Sequence, residues 1–173
     1  GMIHPLVPYA LRGFLWYQGE SNVGEGMLYT LKMEALIKGW RKQFGAAEAP
    51  FLYVQLAPFN YGGEREGALQ ALWVAQQYAL KIPHTGMAAT MDIGNPGDIH
   101  PRNKSEVGRR LALWALADTY GKPGIVKSGP VFESFEVAGD AIRVRLGSAP
   151  TGLVTRDGKP PSHFEVAGPD WNF

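Results

Sequence analysis

Two short polar stretches carry the residue types that catalysis needs. Gln18-Gly19-Glu20-Ser21-Asn22 supplies two amides, a glycine backbone, a carboxylate and a hydroxyl. Asp98-Ile99-His100-Pro101 sets a carboxylate two residues before an imidazole, with a proline fixing the turn after it. Together they suit acyl transfer. An imidazole takes a proton, a carboxylate orients it, and amide and backbone N–H groups stabilise an oxyanion. His100 is the candidate base. Asp98 is the candidate orienting acid, because a neighbouring carboxylate can hold the tautomer and stabilise the imidazolium. Each residue also has a plainer reading. A histidine beside a turn aspartate is common on surfaces, Glu20 at a helix start is favoured by the dipole, and Asn22 can simply cap a helix.

The elements that must position these stretches alternate. Arg12 to Tyr17 (RGFLWY) reads as a short apolar strand, and QGESNVGEG as the polar turn after it. Met33, Leu36, Ile37, Trp40 and Phe44 recur at helical spacing up to the stop at Gly45. Phe51 to Leu56 reads as a second strand, Glu64 to Leu80 as a second helix, and Gly86 to Met91 as a third strand. After the loop DIGNPGDIHPRNK, a third helix is expected from Lys104 to Tyr120, with Asn103 and Glu106 as a capping box. Apolar strands alternating with amphipathic helices predict an α/β unit: a parallel sheet with helices on both faces. Such sheets bind ligands beyond the carboxyl ends of their strands. Both polar stretches fall there, so the Gln18–Asn22 loop and His100 are expected to share one cleft. The expected boundary is at residue 124, giving units 1–124 and 125–173. In the second, Val131 to Val137 and Ala141 to Leu146 form a hairpin around Ala-Gly-Asp, and Gly152 to Thr155 and His163 to Val166 are further strand candidates in a small all-β segment.

Composition narrows the function classes. The 173 residues carry 17 basic and 16 acidic side chains, a net charge of +1, which argues against nucleic acid or a membrane surface as partner. The sequence has no cysteine, removing disulfides, zinc–thiolate sites and cysteine nucleophiles. No apolar run approaches the roughly 20 residues of a membrane helix. His4, His84, His100 and His163 lack metal-ligand spacing, so no metal site is expected. Arg102, Lys104, Arg109 and Arg110 read as a solvated helix face.

The stretch GFLWYQGESN (13–22) resembles the WYQGESN signature of sialate O-acetylesterase-like carbohydrate esterases, within the wider SGNH (GDSL-like) hydrolases. GMIHPLVPYALRG resembles the family's approach to that strand, and Leu72 to Gln76 lies where the family has a Gln-bearing helix. DIGNPGDIHPRNKSEVGRRLALWALA (92–117) resembles the block holding the catalytic histidine, and FEVAGPD resembles the β-rich tail. The resemblance implies a flavodoxin-like SGNH hydrolase fold and an esterase that removes O-acetyl groups from sugars. It implies no cofactor and an acetylated carbohydrate as the partner. The family's histidine maps onto His100 and its carboxylate onto Asp98. The wider superfamily sets the acid three residues before the histidine, here Gly97, so Asp92 and Glu20 stay open as alternatives. Gln18, Gly19, Glu20, Ser21 and Asn22 match the oxyanion and substrate pocket block.

The resemblance also implies a nucleophilic serine in a Gly-Gln-Ser-Asn-like elbow, upstream of WYQGESN. No such elbow occurs in these residues. The chain is therefore expected to be an internal or truncated piece with its nucleophile elsewhere, Ser21 belonging to the second block. The sheet is then expected to be incomplete. The RGFLWY strand becomes an open edge that pairs with a second copy or a partner segment. The family usually works outside the cytoplasm. A catalytically silent sugar-binding module, or an inactive structural fragment, are the alternative readings.

Overall fold

The structure is a computed structural model and describes residues 1–63, 67–155, 157–162 and 164–170. The chain divides into two compact units, Gly1–Ser128 and Gly129–Phe173.

The first unit alternates strand and helix: β1 (Phe14–Trp16), α1 (Leu28–Gln43), β2 (Phe51–Val54), α2 (Ala68–Tyr78), β3 (Thr85–Ala88) and α3 (Lys104–Trp114). The three strands form one parallel sheet in the order β1-β2-β3. Phe14 pairs with Phe51 and Trp16 with Tyr53, while Phe51 pairs with Thr85 and Val54 with Ala88. Side-chain alternation then divides the strands between two cores. Phe14, Phe51 and Tyr53 pack against Tyr29, Met33 and Ile37 of α1 and Leu69, Leu72 and Ala75 of α2. Leu52 and Val54 point the other way, onto Val107 and Leu111 of α3. β2 is buried at all four positions, which explains its unbroken apolar run. Edge-to-face aromatic contacts fill the α1 side, with Phe14 5.4 Å from Trp40 and 5.3 Å from Phe44 between ring centroids. On the α3 side the helix lies directly on the backbone of β3. A Cβ at Gly86 would stand 2.6 Å from the Trp114 ring, whose Nε1 donates to the Met87 carbonyl at 3.0 Å.

Element boundaries depart from expectation at their ends. β2 ends at Val54 and β3 at Ala88, before their apolar runs do; one further bond joins them there, Gln55 N–H to the Ala88 carbonyl at 2.9 Å. The expected start of the second helix, at Glu64, lies outside the described residues. α3 gives way to a π-helical turn over Ala115–Thr119, where Tyr120 N–H bonds back five residues to the Ala115 carbonyl at 3.0 Å. The capping box is half made. Asn103 Oδ1 accepts from Glu106 N–H at 3.2 Å, but the Glu106 carboxylate turns to Arg109 and Arg110 instead.

In the second unit, β4 (Val131–Ala138) and β5 (Ala141–Gly147) form an antiparallel hairpin. Its two-residue turn, Gly139-Asp140, places Gly139 at φ +67°, a conformation that favours glycine. The register shifts between Phe132 and Ser134. Gly152 to Thr155 is not a strand, and neither are residues 164–166; His163 lies outside the described residues. Among the described residues neither short run has a partner ladder. Gly152 stands at φ +87°, and Pro150, Pro160 and Pro161 remove donors around them.

Candidate active site

Because the sheet is parallel, the loops that follow β1, β2 and β3 all leave from one rim. After β1 the chain runs through Tyr17 and Gln18 into a short 3₁₀ turn, Glu20–Asn22. Gly19 adopts φ +154°, ψ −8°, which L-residues rarely reach. The turn is held from α1, where the Tyr29 hydroxyl donates to the Gln18 carbonyl at 2.9 Å. Within it the polar groups form a directed chain. Gln18 Nε2 donates to Asn22 Oδ1 at 2.7 Å, and Asn22 Nδ2 donates to Glu25 Oε2 at 3.0 Å. The Gly19 N–H donates to Glu20 Oε2 at 3.0 Å. Two N–H groups in this loop thus already face carboxylates. Ser21 is exposed.

After β2, α2 takes over from the missing ladder. Gln76 is 1% exposed, and its Oε1 accepts from Leu56 N–H at 2.9 Å while its Nε2 donates to the Val54 carbonyl at 3.2 Å. Trp73 Nε1 donates to the Leu56 carbonyl at 2.6 Å. After β3, the loop carrying His100 is folded by its own side chains. Asn95 Oδ1 accepts from Gly97 N–H at 2.9 Å. Asp98 Oδ1 accepts from the backbone N–H of His100 at 2.9 Å. Asp98 Oδ2 stands 3.9 Å from Arg102 Nε. Asp98 thus fixes the backbone at His100, and the imidazole itself is exposed and makes no hydrogen bond among the described residues. Ile93, Asn95, Asp98, Pro101, Arg102 and Asn103 line an open pocket of about 300 Å³ here.

Three contacts tie the loops into one surface. The Lys104 ammonium, at the start of α3, lies 4.7 Å above the Tyr17 ring. Asn60 N–H, in the loop after β2, donates to the Pro96 carbonyl at 2.9 Å. Gly94 passes so close to Pro58 that a Cβ there would stand 2.3 Å from Pro58 Cδ. Burial raises the Tyr17 hydroxyl above its ordinary pKa, and the Glu20 carboxylate and Tyr61 hydroxyl raise it further. Among the described residues no hydrogen bond runs directly from His100 to the Gln18–Asn22 turn; Tyr17 and Lys104 connect their loops.

The alternative acids are engaged elsewhere. Asp92 forms a two-pronged pair with Arg110, at 2.6 and 2.7 Å, and Arg110 also donates to the Ala89 carbonyl and to Glu106. Glu20 caps Gly19. Arg110, expected on a solvated helix face, is instead paired with Asp92 at the start of the His100 loop. Its side chain is 19% exposed, so it is an anchor for the His100 loop and not a solvated charge. The spacing to Glu106, one helical turn, was the available signal. Among the described residues no group of three or more His, Cys, Asp or Glu could hold a metal ion. No helix there is long and apolar enough to cross a membrane.

A parallel sheet with flanking helices, whose polar loops converge on its carboxyl rim, matches an SGNH-like α/β fold. Residues 3–117 match the family described as carbohydrate esterase, sialic acid-specific acetylesterase, and the chain belongs to that family. It is 37% identical over 154 residues to the sialate O-acetylesterase of Rattus norvegicus, covering 79% of this chain and 28% of that protein. The Homo sapiens sialate O-acetylesterase is 38% identical over 156 residues, covering 79% and 29%. The crystal structure of a carbohydrate acetylesterase from Xanthomonas citri superposes with a TM-score of 0.91 at 40% identity, over 99% of this chain and 40% of that one. The chain thus spans less than a third of the length of its curated relatives.

Proposed function

We propose that this chain is part of a carbohydrate O-acetylesterase that hydrolyses acetyl esters on sugars by a serine–histidine–acid mechanism. The nucleophilic serine comes from outside these 173 residues. His100 takes its proton as it attacks the acetyl carbonyl and gives it to the departing sugar oxygen; it then takes a proton from the water that attacks the acetyl-serine and returns that proton to the serine as acetate leaves. Asp98 is the orienting acid: its Oδ1 already holds the His100 backbone N–H, and its Oδ2 leaves the loose, 3.9 Å pairing with Arg102 to take the imidazole N–H. The Gly19 N–H and Asn22 Nδ2 stabilise the oxyanion, which displaces the Glu20 carboxylate from Gly19. Gln18, Glu20 and Ser21 line the sugar side of the pocket. No metal or other cofactor takes part in these steps.

The observation that supports this reading is the contact of the Lys104 ammonium, just past the His100 loop, with the Tyr17 ring, which leads into the Gln18–Asn22 turn. The test joins a Gly-Gln-Ser-Asn-bearing segment from a relative to this chain and assays an aryl acetate and an acetylated sugar. Turnover should appear, and His100→Ala should remove it. Turnover by the unextended chain that Ser21→Ala abolishes would make Ser21 the nucleophile and overturn the reading.

Among the described residues β1 is paired with β2 alone, and Leu15 on it is 65% exposed. Pairing of this edge with a second copy or a partner segment is part of the same proposal. Sedimentation of the chain as a monomer at all concentrations, with Leu15 still water-accessible, would contradict it.

A further inference from the structure

The geometry points to Glu25, held by Lys32, as the positioning residue that fixes which end of the Asn22 amide serves the oxyanion. This inference rests on the assignment of Asn22 as an oxyanion donor.

An asparagine side chain has an acceptor end and a donor end of nearly equal size, so something must decide which faces the site. Here the decision starts from an ion pair. Lys32 Nζ stands 2.6 Å from Glu25 Oε1. Glu25 Oε2 accepts from Asn22 Nδ2 at 3.0 Å. An ionised carboxylate can only accept, so the Asn22 nitrogen must face Glu25 and its Oδ1 must face away. Oδ1 then takes the Gln18 Nε2 hydrogen at 2.7 Å. One hydrogen on Asn22 Nδ2 remains outside this chain. The residue is thus locked as a donor with a single N–H to give.

The lock depends on Glu25 staying charged. Hydrogen bonds from Lys32 and from Asn22 hold its carboxyl below the usual carboxylate range, so it is ionised wherever an esterase base works. Lys32 matters through the same logic. If position 25 were an amide, Lys32 would claim its oxygen. The nitrogen would then be left facing Asn22. Asn22 would have to turn, presenting Oδ1 to position 25 and its nitrogen to Gln18, which would have to turn as well. An isosteric change would invert the whole chain.

Side-chain amide resonances of the 173-residue chain test this without any activity. Glu25→Gln should move the Asn22 and Gln18 amide signals together. Lys32→Met should leave both close to the parent, because a carboxylate at 25 still only accepts. Glu25→Gln with Lys32→Met should bring both back toward the parent, because the amide is then free to offer its oxygen to Asn22. Unmoved signals in Glu25→Gln, or no recovery in the double variant, overturn the inference.

The elbow-bearing enzyme supplies the second arm. Asn22→Ala should lower kcat about a hundredfold, as loss of one oxyanion donor does. Glu25→Gln should lower kcat about tenfold or more with KM little changed, and adding Lys32→Met should restore most of it. Full activity in Asn22→Ala overturns the oxyanion assignment. A large loss in Asn22→Ala with none in Glu25→Gln overturns the positioning role alone.

Discussion

Replacing Gln76 by Leu should destabilise the first unit far more than a buried change of similar size. The side chain is 1% exposed and closes two backbone groups at the end of β2. Its Oε1 meets Leu56 N–H at 2.9 Å, and its Nε2 meets the Val54 carbonyl at 3.2 Å. Leu56 and Val54 are themselves 2% and 1% exposed, so water cannot take over. Leucine nearly conserves the volume, which keeps the cavity contribution small. What remains is one orphaned N–H and one orphaned C=O. At about 1–3 kcal/mol for each unsatisfied buried group, the loss is about 2–6 kcal/mol. Against the roughly 5–15 kcal/mol of a typical domain, that is a large fraction. Urea unfolding followed by helical circular dichroism is the assay, because every α-helix among the described residues lies in Gly1–Ser128. The midpoint should fall with little change in slope. A loss under about 1 kcal/mol would refute the reasoning, since both groups would then have found other partners.

Further predictions address the site and its supports. Gly94→Ala would drive a Cβ to 2.3 Å from Pro58 Cδ, so it should cost about 1–3 kcal/mol as an overpacking change and lower turnover of the elbow-bearing enzyme by shifting the His100 loop; thermal melting and kcat/KM check the two parts. Glu106 is held at a pKa of about 2 by hydrogen bonds from Arg109 and Arg110. A depressed carboxylate stabilises the fold above its unfolded pKa and loses that contribution as pH falls through its folded one. Side-chain carbon NMR should therefore find Glu106 titrating near pH 2, and Arg110→Met should move the midpoint up toward the ordinary range. Gly19→Ala should impair folding or turnover even though Leu72 and Tyr29 leave 3.5 Å for the methyl group, because the backbone at φ +154° resists a Cβ; unchanged melting and kcat would contradict that.

Strands and helices of the first unit were readable because each carries one dominant signal. β2 is apolar at every position since both faces of the sheet are covered there, and α1 shows its buried Tyr29, Met33, Ile37 and Arg41 at near-helical spacing. The place of the two polar stretches, beyond the ends of β1 and β3, was legible from the strand pattern, whereas residue type alone left a surface histidine and a helix cap as open readings. What holds the two stretches was not legible. Gln76 and Arg110 act across 20 and 18 residues, on Leu56 and Asp92, and no local pattern marks such partners. Glu25 lies only three residues past Asn22, but a polar turn offers no periodicity to say that its carboxylate folds back onto that amide. The short runs after Gly147 looked like strands because apolar alternation says nothing about whether a partner ladder exists. Capping chemistry was half legible, since Glu106 could serve Asn103 or the arginines one turn on and the charged pairs won.

The central claim is that the Gln18–Asn22 turn and the His100 loop form one esterase site. Its most direct test is a crystal structure of the elbow-bearing enzyme after reaction of its serine with a phosphonate that mimics the tetrahedral acetyl intermediate. The phosphonyl oxygen should lie about 3 Å from the Gly19 N–H and Asn22 Nδ2, with the His100 imidazole against the serine oxygen. A phosphonyl oxygen bound by other donors, or a His100 ring turned away from the serine, would contradict it.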